Sequence, residues 1–339
     1  MKKERLFYLD FVRAVAVVSI LLTHFNARYL YLVPPMPEKA VITTTVSNIY
    51  IGNWGVSLFF IISGAALMYV YQDRLDLKTF YKKRFLSIYP MFWMAYIVAF
   101  AFLYARNHVI PGAGTPKVNF LFTILGMDGM LAAYLPTFYI LGEWFLGTII
   151  LMYLLFPLLR LGVEKQPALT AAAILVIYAA MFLLQGQVNI SIVVLTRLPE
   201  IAFGMYFVRW GRKVDWKAAL VALVLLVANG LLAPALPDML QTTYVGIASF
   251  LLLVFLSYYV KVPVCEKFCS VISKYSYAIF LVHHVIIAEI MQHFDLVQIS
   301  VAKSYLLFAC TCVVIAVFAW LLFQVHRLIM KQIPTLFKK

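Results

Sequence analysis

The sequence predicts an all-α fold: a polytopic membrane helix bundle of about ten transmembrane helices, with both termini in the cytoplasm. Three observations lead there. The chain is 64% hydrophobic and 12% charged, with a mean hydropathy of +0.93, whereas a soluble domain is about half apolar and about a quarter charged. Apolar runs recur from one end to the other, most of them near the ~20 residues a helix needs to cross a hydrocarbon core. Basic residues are dense in every second connecting segment, which is the asymmetry of a chain oriented by the positive-inside rule. Residues 1–339 therefore read as a single integral membrane domain with no soluble appendage.

The runs cover 6–26, 49–70, 88–106, 138–159, 168–185, 192–208, 217–234, 242–260, 275–293 and 303–325. They are too long for buried strands and lack the alternation of barrel strands. Helices satisfy their own backbone groups in lipid, so each run is expected to be helical. The sixth departs from the pattern because it contains Arg197 and Glu200. The first is expected to stay in place rather than be cleaved as a signal peptide. It is too long, it holds Asp10, Arg13 and His24, and no small-residue cleavage site follows it. The stretch 107–137, on the outer side in this topology, is apolar in places and broken by Gly and Pro, as a re-entrant or lid segment would be.

With the N-terminus inside, 22 of the 28 Lys and Arg residues fall on the inner side and 6 on the outer side or in outer halves of helices. This arrangement accounts for the formal charge of +14 through contact with the membrane, and nucleic acid is not expected as a partner. The four cysteines, Cys265, Cys269, Cys310 and Cys312, have neither disulfide-framework nor zinc-site spacing. They are read as structural, and no metal is expected.

Ionisable residues inside a membrane are costly and usually face a cavity or a partner. Here they are Asp10, Arg13 and His24 in the first run, Glu143 opening the fourth, Arg197 and Glu200 in the sixth, and His283, His284 and Glu289 in the ninth. Asp10 and Arg13 stand three apart on one face. His24 follows Arg13 by eleven residues, close to three turns and about 16 Å along a helix, so both point the same way. By spacing alone this describes either a line of functional groups or a snorkelling Arg with a hydrogen-bonded buried His. Arg197 and Glu200 are spaced for an intrahelical pair. His283 and His284 point about 100° apart, so only one can face a given site.

Five segments resemble the membrane acyltransferase type 3 family. The opening FYLDFVRAVAVVSILLTHFN carries an L-D-x-x-R motif and a following His at Leu9, Asp10, Arg13 and His24. The second run resembles F-F-x-I-S-G at Phe59, Phe60, Ile62, Ser63 and Gly64. In YKKRFLSIYPMFW, Lys83, Arg84 and Pro90 match, while Ser87 stands where the family usually has a third Arg. Trp144, Leu146, Tyr153, Leu154 and Pro157 resemble a W-x-L…Y-L-x-x-P helix, with Ile149 where many members carry Glu. Ser276, Ile279, Phe280, Leu281 and His283 resemble S-x-x-I-F-L-x-H.

The resemblance implies transfer of an acyl group, usually acetyl, from cytoplasmic acyl-CoA to a hydroxyl of an envelope or exported glycan or lipid-linked saccharide, in a bacterial plasma membrane. His24 and Asp10, in the first motif, are the expected catalytic residues, and Glu143, just before Trp144, is a further catalytic candidate that matches no family position. Arg13, Lys83, Arg84, Ser63, Trp144 and His283 are expected on the acyl-CoA and substrate side; Arg197 and Glu200 join them as buried ionisable residues, with a purely structural pair as the other reading. Acetyl-CoA or another acyl-CoA is the co-substrate, with membrane lipids as surroundings. A multispan transporter or exporter of polysaccharide is the alternative, although no paired repeat with Gly/Pro-interrupted helices is visible in the two halves. A scaffold without activity is a third reading, raised by Ser87 and Ile149.

Overall fold

The computed structural model describes residues 4–184, 194–211 and 213–336. Its helices are α1 (Phe7–Leu30), α2 (Ile51–Tyr71), α3 (Leu77–Asn107), α4 (Phe120–Leu125), α5 (Asp128–Leu131), α6 (Trp144–Lys165), α7 (Pro167–Leu183), α8 (Leu198–Tyr206), α9 (Trp216–Leu232), α10 (Asp238–Ser257), α11 (Pro263–Met291) and α12 (Val301–Leu336). A two-stranded antiparallel hairpin, β1 (Thr45–Val46) and β2 (Ile49–Tyr50), precedes α2.

Each predicted run corresponds to one helical segment. Seven helices, α1, α2, α3, α6, α10, α11 and α12, are long and apolar enough to cross a membrane. Two more apolar helices, α7 and α9, have 17 residues each, the short end of what spans a bilayer. The sixth run is different. Residues 192 and 193 lie outside the described residues. Val194–Arg197 forms a 3₁₀ turn, α8 has nine residues, and Phe207–Gly211 is a π turn. Nine residues of α-helix rise only about 14 Å.

Two helices begin well before their apolar runs. Asp76 caps α3, its carboxylate accepting from the Thr79 amide at 2.8 Å, so the helix includes Lys78, Lys82, Lys83 and Arg84. Pro263 opens α11, where its missing N–H costs nothing. Apolar periodicity does not mark such starts, because their side chains are charged or mixed.

By packing, the chain divides into two compact units, Met1–Leu75 with Leu154–Ser276, and Asp76–Tyr153 with Tyr277–Lys339. In the first, α1, α2, α9 and α10 share a core that includes Val12, Ala16, Leu58, Ile61, Ile62, Ala65, Phe250 and Val254. Helices α2 and α8 meet backbone to backbone through Gly64 and Gly204. A β-carbon on Gly64 would lie 2.0 Å from the Ile201 carbonyl oxygen, and one on Gly204 would lie 2.0 Å from that of Ile61.

In the second unit, α12 packs on α3, and the segment after α3 folds back along it. The Tyr89 hydroxyl donates to the Leu125 carbonyl (3.1 Å), the Trp93 indole to Ile124 (3.0 Å), and the Tyr96 hydroxyl to Phe138 (2.7 Å). These residues recur every three or four positions, which is one face of a helix. The stretch 107–137 is therefore strapped to α3 rather than looped free of it.

Candidate functional site

In the first unit the predicted residues lie along α1. Asp10 is in its first turn, and both its oxygens accept from Arg5, Oδ1 from Nη2 at 3.0 Å and Oδ2 from Nε. Arg13 donates through Nη1 to the Ser273 hydroxyl at 3.0 Å. Above it the helix carries small polar groups whose hydroxyls bond back to the helix: Ser19 to Ala16 O (2.8 Å) and Thr23 to Ser19 O (2.7 Å). Gly55 and Gly52 of α2 pass against Ser19 and Thr23, close enough that a β-carbon would clash with each. His24 follows, half-buried. Asp10 stands fourteen residues before it, about 21 Å along the helix, so the structure does not bring these two together.

Two residues beyond His24, Asn26 is 1% exposed. Its amide donates to the carbonyls of Val41 (2.9 Å) and Thr43 (3.0 Å), and its oxygen accepts from the Val41 amide (2.8 Å). The loop after α1 is thereby fixed over the end of the helix that carries His24. The hairpin that follows is tied down as well, because Asn229 donates to Ser47 O (2.6 Å) and Asn48 donates to Gln241 Oε1 (3.0 Å). Sequence reading missed Arg5, Asn26 and Ser273. An Asn inside an apolar run was the one available signal.

The same unit holds Arg197 and Glu200, paired at 3.2 Å as their spacing predicts. Glu200 is fully buried, and the Ser57 hydroxyl donates to its Oε1 at 3.3 Å. The guanidinium also lies 5.9 Å from the Phe60 ring. The pair thus joins the 3₁₀ turn before α8 to α8 itself, with Ser57 and Phe60 of α2 alongside. Ser63 is half-buried on α2.

In the second unit Lys83 is exposed and Arg84 half-buried. The Arg84 guanidinium lies 5.9 Å from the Phe80 ring and 5.5 Å from the Tyr153 ring, a geometry that holds a planar cation. Ser87, in the place of the family's third Arg, donates to the Arg84 carbonyl at 2.9 Å. Ile149, in the place of the family's Glu, is buried.

Glu143 immediately precedes α6 and is 1% exposed. Its Oε2 accepts from the Leu141 amide at 2.8 Å, and its Oε1 has no partner among the described residues. Asp128 is also fully buried. Burial pushes its pKa up, and the Thr123 hydroxyl and Phe138 amide act in the opposite direction. Gly129 makes this packing possible, since a β-carbon there would lie 2.3 Å from the Trp144 backbone. Trp144 itself is half-buried at the start of α6. Asp128 was not singled out in the sequence, because it sits in a stretch with no helical periodicity.

His283 is buried, its Nδ1 2.8 Å from the Phe280 carbonyl. His284 turns the other way and packs on Gly142, where a β-carbon would lie 2.9 Å from its ring. Among the described residues, no cluster of three or more His, Cys, Asp or Glu is arranged to hold a metal ion.

The predicted set thus falls into two groups: Asp10, Arg13, His24, Ser63, Arg197 and Glu200 in the first unit, and Lys83, Arg84, Glu143, Trp144 and His283 in the second. No curated protein and no solved structure gives a significant match to the chain. A family model described as an acyltransferase domain, type 3, matches residues 6–324, nearly the whole chain and every motif quoted above. The chain belongs to the membrane acyltransferase type 3 family.

Proposed function

We propose that the protein is an O-acyltransferase that moves an acyl group, acetyl in the simplest case, from cytoplasmic acyl-CoA to a hydroxyl of an envelope or exported glycan. The observation that carries this reading is the position of His24. It lies deep in α1, half-buried, one face and eleven residues from Arg13, under a loop pinned by Asn26.

An imidazole has a pKa suited to accepting a hydroxyl proton near neutrality. In the proposed step His24 takes the proton of the acceptor hydroxyl. The oxygen attacks the thioester carbonyl, the C–S bond breaks, and CoA leaves as a thiolate that is then protonated. No covalent intermediate on the enzyme is needed. Arg13, Lys83 and Arg84 are assigned to CoA phosphates, which basic groups bind through charge-assisted hydrogen bonds. Asp10 keeps Arg5 in place beside that end of α1. Glu143 is assigned a proton-holding role, supported by its burial and by an Oε1 without a partner among the described residues. Ser63, Trp144, Arg197, Glu200 and His283 are assigned to substrate contact or to shaping its surroundings.

The same reading makes all ten helical segments spans, puts both termini in the cytoplasm and places the chain in a bacterial plasma membrane. The distribution of 22 inner and 6 outer basic residues supports the orientation. The test is transfer of radiolabelled acetyl from acetyl-CoA by the purified, reconstituted protein to a glycan fraction. Label in glycan hydroxyl esters supports the proposal. Neither transfer nor thioester hydrolysis above background would overturn it in favour of transport.

A further inference from the structure

Helix α9 is apolar on both of its faces. Ala219, Ala222, Leu226 and Asn229 are buried against the first unit, while Leu220, Leu223, Val224, Val227 and Leu231 are exposed. The exposed set recurs every three or four residues, one continuous stripe, and part of it lines a shallow groove with no polar lining atoms. Such a stripe is suited to hydrocarbon, not water.

At the start of α9 the chemistry changes within one turn. Trp216 continues the stripe and is 62% exposed; Trp210 is 52% exposed. Arg209 lies 5.4 Å from the Trp210 ring and Lys217 5.9 Å from the Trp216 ring. Lys213 is exposed between them. Asp215, the one acid in the sequence between Phe207 and Ala219, caps α9, accepting from the Ala218 amide at 2.8 Å.

The corner is held in shape from below. Trp210 packs on Tyr206 at 5.3 Å between ring centroids, the Tyr206 hydroxyl donates to the Pro167 carbonyl at 2.5 Å, and the Val214 amide donates to the Tyr258 hydroxyl at 3.0 Å. The π turn Phe207–Gly211 swings Arg209 and Trp210 outward together. Indoles prefer the boundary between hydrocarbon and headgroups, and nearby Lys and Arg favour anionic lipid.

We propose that the corner between α8 and α9 binds the headgroup of an anionic phospholipid, through Arg209, Lys213 and Lys217, with its acyl chains along the exposed stripe of α9. The two indoles mark the depth of the ester layer. The apolar stripe that continues from Trp216 favours a membrane lipid over a soluble anion, because a soluble anion leaves that surface uncovered. This inference is independent of the acyl-transfer reading.

The test is tryptophan quenching in phosphatidylcholine vesicles containing, at equal mole fraction, either dibrominated phosphatidylglycerol or dibrominated phosphatidylcholine. Each basic residue near an anionic membrane surface strengthens association about five-fold. The wild type is expected to show stronger quenching by the brominated phosphatidylglycerol. The combined Arg209→Gln, Lys213→Gln and Lys217→Gln protein should lose that excess and keep the quenching by phosphatidylcholine. Trp210→Phe with Trp216→Phe should also lose the excess, because the indoles at the site are gone. Equal quenching by the two lipids in the wild type, or an excess that survives either set of substitutions in protein that melts as wild type does, would overturn the assignment.

Discussion

Asn26 and Val41 are bonded in both directions: the Asn26 amide donates to the Val41 carbonyl at 2.9 Å, and the Val41 amide donates to Asn26 Oδ1 at 2.8 Å. A buried asparagine two residues past His24 thus acts as an extra peptide unit and holds a loop that has no ladder of its own. Replacing it with Ala strands the Val41 amide and the carbonyls of Val41 and Thr43. Each buried group left unsatisfied costs about 1–3 kcal/mol. Asn26→Ala is expected to lower the melting temperature in detergent clearly, and Asn26→Asp, which keeps the acceptor and loses both donors, to lower it too. Wild-type melting of both variants would show that the loop is held by other means.

For His24 the two readings separate by substitution. General base catalysis contributes roughly 10²–10⁴-fold. His24→Gln retains hydrogen bonding and cannot carry the proton, so label transfer should fall by about that factor while melting and insertion stay near wild type. Wild-type transfer by folded His24→Gln protein would move the proton acceptor elsewhere, with Glu143 and His283 as the residues to test next.

The close approach of α2 and α8 makes a sharp prediction about glycine. Gly64→Ala places a methyl 2.0 Å from the Ile201 carbonyl oxygen, a backbone contact that cannot yield without moving a helix. Overpacking of this kind costs about 1–3 kcal/mol or more. Gly230→Ala, whose β-carbon would meet only the Ser47 Cα at 3.6 Å, should be neutral or stabilising by up to about 1 kcal/mol, the helix propensity difference. Thermal unfolding of the two variants side by side checks this, and equal behaviour would contradict the packing.

Glu143 holds a buried backbone group. Its Oε2 accepts from the Leu141 amide at 2.8 Å, and Glu143 is 1% exposed and Leu141 2%. Glu143→Gln keeps an acceptor for that amide, whereas Glu143→Leu strands it, at about 1–3 kcal/mol. Glu143→Leu is therefore expected to melt below Glu143→Gln in detergent. Equal melting of the two variants would show that the Leu141 amide is held by other means.

Much of the helical layout was written locally. Apart from the sixth, each apolar run holds an α-helix among the described residues, because a chain in lipid can satisfy its backbone only by bonding to itself, and that requires no knowledge of neighbours. The pairing of Arg197 with Glu200 was legible too, because the two stand three residues apart in the sequence. The family motifs at Asp10, Arg13, His24 and His283 were legible as residue types in order. Tertiary structure alone decided what those residues touch: Arg13 meets Ser273, 260 positions away; Glu200 meets Ser57, 143 positions away; and Glu143 lies within the electrostatic reach of Asp128. Hydrophobic periodicity says which face is apolar, but not which polar group on another helix will lie opposite. That choice depends on how closely helices approach, and here glycines such as Gly64, Gly204 and Gly129 set the approach by leaving room for a backbone where any β-carbon would stand.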